Sequence, residues 1–172
     1  KKKKNYELAL KNNISSISIP LLEESSVLDD SLRSKFCNNI KKYPEHYSSL
    51  RFLFEVEASH RQLADVLSVS DNFYATYDTG NITSCGYEHE EYINAVFDKI
   101  STVHIKDRTY DAKTVVPGTG DTNFKLIFDI LKRKQYNGLY TLQTARENSG
   151  DEYQTISKHK NILTRIYNEK SF

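Results

Sequence analysis

Residues 73–81 read FYATYDTGN. The first five favour a strand, being aromatic or β-branched apart from one alanine. The run then meets Asp78-Thr79-Gly80-Asn81. An Asp before Thr-Gly-Asn forms a turn readily. A carboxylate at a strand's end is also what the reactive rim of a parallel α/β sheet carries. The rest of the chain has to decide between the two.

Four more runs have the same strand character: SISIPLL (16–22), RFLFEVE (51–57), STVHIKD (101–107) and GLYTLQT (138–144). Helical spacing fills the intervals. VLDDSLRSKFCNNIKKY (27–43) repeats apolar residues at helical period. HRQLADVLSV (60–69) follows Ser59, a good N-cap. EHEEYINAVFDKI (88–100) opens with acids, which suit the positive end of a helix dipole. FKLIFDILKRKQY (124–136) stops before Asn137-Gly138, and EYQTISKHKNILTRIY (152–167) closes the chain. Tyr6–Leu10 reads as the end of an earlier helix. Strand and helix alternate five times, the pattern of a parallel sheet with helical crossovers. No linker interrupts it, so residues 1–172 read as a single α/β domain.

The totals narrow the function. At 172 residues with 38% hydrophobic and 27% charged, the chain has enough apolar content for a packed core. A formal net charge of +1 gives no reason to expect a nucleic-acid or membrane partner, and the lysines at 1–4 read as a solvated terminus. Cys37 and Cys85 lack metal-type spacing and read as reduced thiols. With no spanning apolar run and no signal sequence, a cytoplasmic location is expected. The chain holds no Met at all and is expected to be a piece of a longer protein.

Polar residues collect where the strands end. The second strand finishes on Glu57 and the third on Asp78; the fourth carries His104 and then Lys106, Asp107 and Arg108; the fifth carries Gln143 and then Arg146. Alternation puts Glu57 with Glu55 and Leu53, Asp78 with Thr76, and His104 with Thr102. The opposite faces, Phe52, Phe54 and Val56, then Ala75, then Val103 and Ile105, then Tyr140 and Leu142, are largely apolar and should lie under helices. The polar faces would then all point toward one axis. Glu57, Asp78, His104 and Gln143 form a mixed oxygen and nitrogen donor set, suited to Mn²⁺, Mg²⁺, Co²⁺ or Zn²⁺. Glu55 rivals Glu57 because the two share a face.

FEVEAS, YDTGN, VHIKDR, VPGTGDTNF and YTLQTAR, in this order, resemble the sugar phosphate isomerase/epimerase family of xylose-isomerase-like (endonuclease-IV-like) TIM barrels. The similarity runs from about Ile17 to Arg146. It implies a partial (β/α)₈ barrel whose five parallel strands are about strands four to eight, the first three being missing. The chain would then be a C-terminal fragment, since a full barrel takes about 250 residues. The resemblance also implies a divalent ion held by Glu57, Asp78 and His104, with Gln143 standing where many relatives have a catalytic Glu.

The implied reaction is metal-dependent isomerisation or epimerisation of a sugar or sugar phosphate, by proton abstraction next to a carbonyl through an enediolate. Glu57 is the expected base and ligand. An amide such as Gln143 ligates but cannot serve as a base, which favours one-base isomerisation or a replacement acid among Lys106, Asp107 and Glu55. Asn81, Lys106, Asp107, Arg108 and Arg146 are the expected substrate contacts. The loop PGTGD (117–121) resembles the barrel's phosphate position, offering the Thr119 and Gly120 amides. His46, His60, His89 and His159 are placed in loops or on helix surfaces and given no role. A homo-oligomer is compatible with the reading. Two other classes remain open: a catalytically degenerate barrel acting as a sugar-binding or assembly module, and an endonuclease-IV-like phosphodiesterase. The second is disfavoured by the few metal ligands and the near-neutral charge.

Overall fold

The computed structural model describes residues 2–147 and 150–169. Its main sheet has five strands in the order β1-β2-β3-β4-β7. These are β1 (Ser16–Leu21), β2 (Arg51–Val56), β3 (Phe73–Asp78), β4 (Ile100–Ile105) and β7 (Leu139–Leu142). The chain divides into two compact units, Lys1–Thr76 with Asp98–Ser101, and Tyr77–Phe97 with Thr102–Phe172.

In the first unit β1 and β2 pair in parallel from Ser16↔Arg51 to Leu21↔Val56. β2 and β3 pair in parallel from Phe52↔Phe73 to Phe54↔Ala75. Phe52, Phe54 and Phe73 have no exposed surface and meet edge to face, an arrangement that suits the ring quadrupoles. Helix α1 (Lys2–Lys11) sets Tyr6 edge-on to Phe52, Tyr43 and Tyr47. The helix expected over 27–43 is shorter, α2 (Asp30–Ile40), followed by α3 (Lys42–His46). Both limits have causes. Asp29 caps α2 by accepting from the Leu32 amide at 2.8 Å. Pro44 lacks an N–H for the Ile40 carbonyl and its ring crowds that group, so α2 stops there. Helix α4 (His60–Leu67) opens with a capping box between Ser59 and Gln62 and buries Leu63, Val66 and Leu67. Arg33 ties α2 to α4, its Nε donating to Asp65 at 2.9 Å and its Nη2 to Asp30 at 2.6 Å.

The second unit holds α5 (Thr79–Ser84), α6 (His89–Val96), a small antiparallel hairpin of β5 (Asp107–Arg108) and β6 (Thr114–Val115), α7 (Phe124–Arg133) and α8 (Glu152–Asn168). β4 and β7 pair in parallel from Thr102↔Leu139 to Ile105↔Leu142. Ile93, Val103, Ile127 and Leu131 form a fully buried core, and Phe128 sets its ring edge-on to Tyr140 and Tyr167. Of the apolar faces expected under helices, Phe52, Phe54, Val56, Ala75, Val103 and Ile105 are buried, whereas Tyr140 on the edge strand is 37% exposed and Leu142 half-buried. β7 is the short edge strand, with Leu139 74% exposed. Five parallel strands with flanking helices stand where a complete (β/α)₈ barrel has eight. Among the described residues no helix is long and apolar enough to cross a membrane.

Candidate metal centre

Asp78 is both the last residue of β3 and the N-cap of α5. Its Oδ1 accepts from the Asn81 amide at 2.9 Å. That bond satisfies one of the orphan donors of the helix. Its Oδ2 lies 2.8 Å from Lys106 Nζ and 3.9 Å from His104 Nδ1. The turn and the rim are therefore one residue used twice, an oxygen for each.

Close approach is arranged by the neighbours. A Cβ on Gly80 would stand 2.9 Å and 3.0 Å from Lys106 Cγ and Cδ, and 3.1 Å from Arg108 Cγ. Only glycine lets both stems cross α5. The Thr79 hydroxyl donates to the Lys106 carbonyl at 2.7 Å and accepts from the Lys106 amide at 3.0 Å. The start of α5 is thereby bolted to the chain just past β4. Lys106 Nζ also reaches Asn81 Oδ1 at 3.4 Å, and Asn81 is fully buried.

Asp78 and His104, both in the second unit, each offer a ligand atom, Oδ2 and Nδ1, 3.9 Å apart. A carboxylate and an imidazole fit a divalent cation by donor type. In the first unit Glu55 is buried on β2 and shares a face with Glu57. β2 ends at Val56 and the chain bends through 57 and 58 toward the Ser59 cap, so strand alternation does not carry on to Glu57, which is half-buried. Gln143 likewise follows its strand, which ends at Leu142. Its amide donates to the Ile105 carbonyl at 3.0 Å and the residue is exposed.

The remaining expected contacts are dispersed. Asp107 has no exposed surface, and its carboxylate accepts from three amides: Gly118 at 2.7 Å, Gly120 at 3.0 Å and Thr122 at 3.2 Å. The Gly-rich loop thus wraps an internal anion. Of the two amides offered to phosphate by the sequence, Gly120 donates to Asp107 and Thr119 to the Val116 carbonyl at 3.0 Å. Arg108 is half-buried with Nη1 3.2 Å from Ser84 Oγ, and Arg146 is exposed.

Two histidines expected on surfaces are core residues: His89 is 7% exposed and His159 not at all. His89 Nδ1 lies 2.6 Å from the Tyr77 hydroxyl, and Nε2 lies 3.0 Å from the Thr83 hydroxyl. Thr83 in turn donates to the Thr79 carbonyl at 2.8 Å and lies 3.0 Å from Thr122 Oγ1. Burial lowers the His89 pKa to about 4 and raises that of Tyr77 well above its ordinary value. The network joins β3, α5, α6 and the start of α7. The signal was in the sequence: His89, Tyr92, Ile93 and Val96 fall at i, i+3, i+4 and i+7, one buried helix face. His159 bonds Thr144 through Nδ1 at 2.7 Å and Glu147 through Nε2, fastening the stretch after β7 to α8.

A family model described as xylose isomerase-like TIM barrel matches residues 48–163. No curated protein matches the sequence. Among solved structures, a xylose isomerase domain protein from Planctomyces limnophilus is 18% identical, with a TM-score of 0.77 over 95% of this chain and 62% of that one. A D-tagatose 3-epimerase-like protein is 17% identical, with a TM-score of 0.73 over 95% and 66%. A D-psicose 3-epimerase solved in the presence of D-fructose is 14% identical, with a TM-score of 0.73 over 95% and 66%. At these identities the likeness is one of fold. The chain spans less than two thirds of the length of these relatives.

Proposed function

We propose, because the chain belongs to the xylose isomerase-like TIM-barrel family, that Glu55, Asp78 and His104 hold a divalent cation and that the whole barrel isomerises or epimerises a sugar. The observation that carries this reading is the approach of His104 Nδ1 to Asp78 Oδ2 at 3.9 Å, two donors of the types a divalent cation takes. Relatives of the same fold include sugar 3-epimerases, which supports a sugar as substrate. A bound ion supplies Lewis-acid stabilisation of negative charge developing on the substrate's oxygens.

The chain's own residues would do the rest. Asp78 and His104 act as fixed donors, Asp78 held by its cap bond to Asn81. Glu55, buried in β2, takes the proton from the carbon next to the carbonyl. Glu57 is the rival for that step. Gln143 would contact substrate without moving a proton. With one working carboxylate, proton return to the same face is favoured, which points to 1,2-isomerisation ahead of epimerisation. Whether the sugar carries a phosphate is decided by groups other than the 117–121 loop, because the Thr119 and Gly120 amides are already bonded within the protein.

Two measurements test this together. Metal analysis of the purified protein should find a divalent ion that Glu55→Gln and His104→Ala remove. Pentoses, hexoses and their phosphates should then be screened for exchange of a carbon-bound proton with solvent deuterium. Exchange that persists in Glu55→Gln but stops in Glu57→Gln would transfer the base to Glu57. A protein that binds sugar with no metal and no exchange would instead be a binding module, the reading that the amide at Gln143 favours.

A further inference from the structure

We propose that Lys106 sets how tightly the Asp78–His104 centre holds its cation, by sharing Asp78 Oδ2 with it. The inference rests on the metal reading above and deepens it by one residue. Lys106 is 8% exposed, so its ammonium is a buried charge that must be held. It is held at Asp78 Oδ2 at 2.8 Å, with Asn81 Oδ1 at 3.4 Å as a second acceptor. Asp78 Oδ1 faces the Asn81 amide, which leaves Oδ2 as the oxygen turned toward both Lys106 and His104.

The lysine is fixed along its whole length. Its main chain is bonded in both directions by the Thr79 hydroxyl. Its stem fills the space that a side chain on residue 80 would need, approaching that Cβ position to 2.9 Å and 3.0 Å. Backbone, stem and head all direct the charge to one carboxylate oxygen.

Two consequences follow, of opposite sign. A divalent ion held by Asp78 would share Oδ2 with the ammonium, and a site this buried would screen the like-charge repulsion poorly. Lys106 therefore weakens cation binding. The same ammonium compensates the buried carboxylate whenever no ion is bound, and so supports the fold. Removing the charge while keeping an apolar stem, in Lys106→Met, should tighten the cation and loosen the chelated protein. A lysine that only packs would change the second and leave the first. One that helps to place the ligands would weaken the first.

The experiment is a Co²⁺ titration of the wild type, Lys106→Met and Lys106→Gln, read by calorimetry and visible absorption, with thermal unfolding in chelator alongside. Lys106→Gln keeps a neutral donor for Asp78 in case Lys106→Met does not fold. Co²⁺ should bind at least about tenfold more tightly to both variants, and Tm in chelator should fall. A Kd in the variants equal to or weaker than that of the wild type overturns the proposal. His104→Ala separates the two readings. If it abolishes Co²⁺ binding while the Lys106 variants bind as the wild type does, the centre stands and the role of Lys106 is refuted. If Co²⁺ binds only once the lysine is neutralised, the proposal holds in its strongest form. If no variant binds, or His104→Ala binds unchanged, both readings fall.

Discussion

His89 should make the protein acid-sensitive in a defined window. Its ring is buried and neutral, with a pKa lowered to about 4 from 6.5 by desolvation. One tautomer satisfies its neighbours. The Thr83 hydroxyl spends its hydrogen on the Thr79 carbonyl, so it accepts from His89 Nε2–H; Nδ1 then accepts from the Tyr77 hydroxyl. A protonated ring would turn a second N–H against Tyr77. Between pH 6.5 and about 4 the unfolded chain binds this proton and the folded chain does not. The contribution of His89 is therefore complete above pH 6.5, falls as the pH drops to about 4, and is constant below that. At about 1.4 kcal/mol per pH unit, the gap between 6.5 and about 4 corresponds to about 3 kcal/mol. Other groups also titrate in this range, so the measurement is a difference. Urea unfolding of the wild type and of His89→Gln should be followed at half-unit steps from pH 7.5 to 4. The wild-type curve should lose about 1.4 kcal/mol per unit more than the variant across the window. Parallel curves, or an imidazole titrating near 6.5 by NMR in the folded protein, would refute the reasoning.

Two further outcomes follow from the backbone. Gly120→Ala should destabilise by several kcal/mol or block folding, because its Cβ would stand 2.3 Å from Asp107 Oδ1 and 2.8 Å from Val115 Cγ2. Amide exchange at Gly118 and Thr122 should accelerate at the same time, and a shift below about 0.5 kcal/mol in urea would show that the loop gives way freely. Ser59→Ala removes the cap of α4 and should cost about 1 kcal/mol in the same assay, with no change in cation affinity.

The alternation of strands and helices was legible because each segment advertises its period. The five strands begin or end within two residues of their sequence limits, and Ser59 marks the start of α4; the helix expected over 124–136 instead stops at Arg133, with Gln135 in the left-handed region ahead of Asn137-Gly138. What escaped was set by neighbours distant in sequence. Asp78 was visible as turn former or rim carboxylate, but the division of labour between its two oxygens depends on Lys106, 28 residues later. Glu55 lies inside β2 and Glu57 just beyond its end at Val56, a boundary next to the Ser59 cap that strand propensity alone does not mark. The loop 117–121 carries glycines for close approach, and the sequence does not say to what. The partner is the protein's own Asp107, since no composition signal tells an internal carboxylate from a phosphate.

The segment from His104 to Arg108 shows why one short stretch carries so much of the chemistry. β4 ends at Ile105, and beyond it side chains are freed from strict alternation. His104 is still in the strand and lies near Asp78 Oδ2, while Lys106, past the strand, reaches the same oxygen from its own bolted backbone. Asp107, next in line, turns away into the Gly-rich loop and holds it with three amides. Arg108 returns across Gly80 toward Ser84. Four neighbouring charged or basic residues thus serve three partners: His104 and Lys106 share Asp78, Asp107 holds the loop, and Arg108 reaches Ser84. The arrangement needs Gly80 and Thr79 opposite it, one for space and one for the double bond to Lys106. The pairing of YDTGN with HIKDR is therefore a single structural unit, in which each motif supplies what the other lacks: acid and cap on one side, imidazole and ammonium on the other.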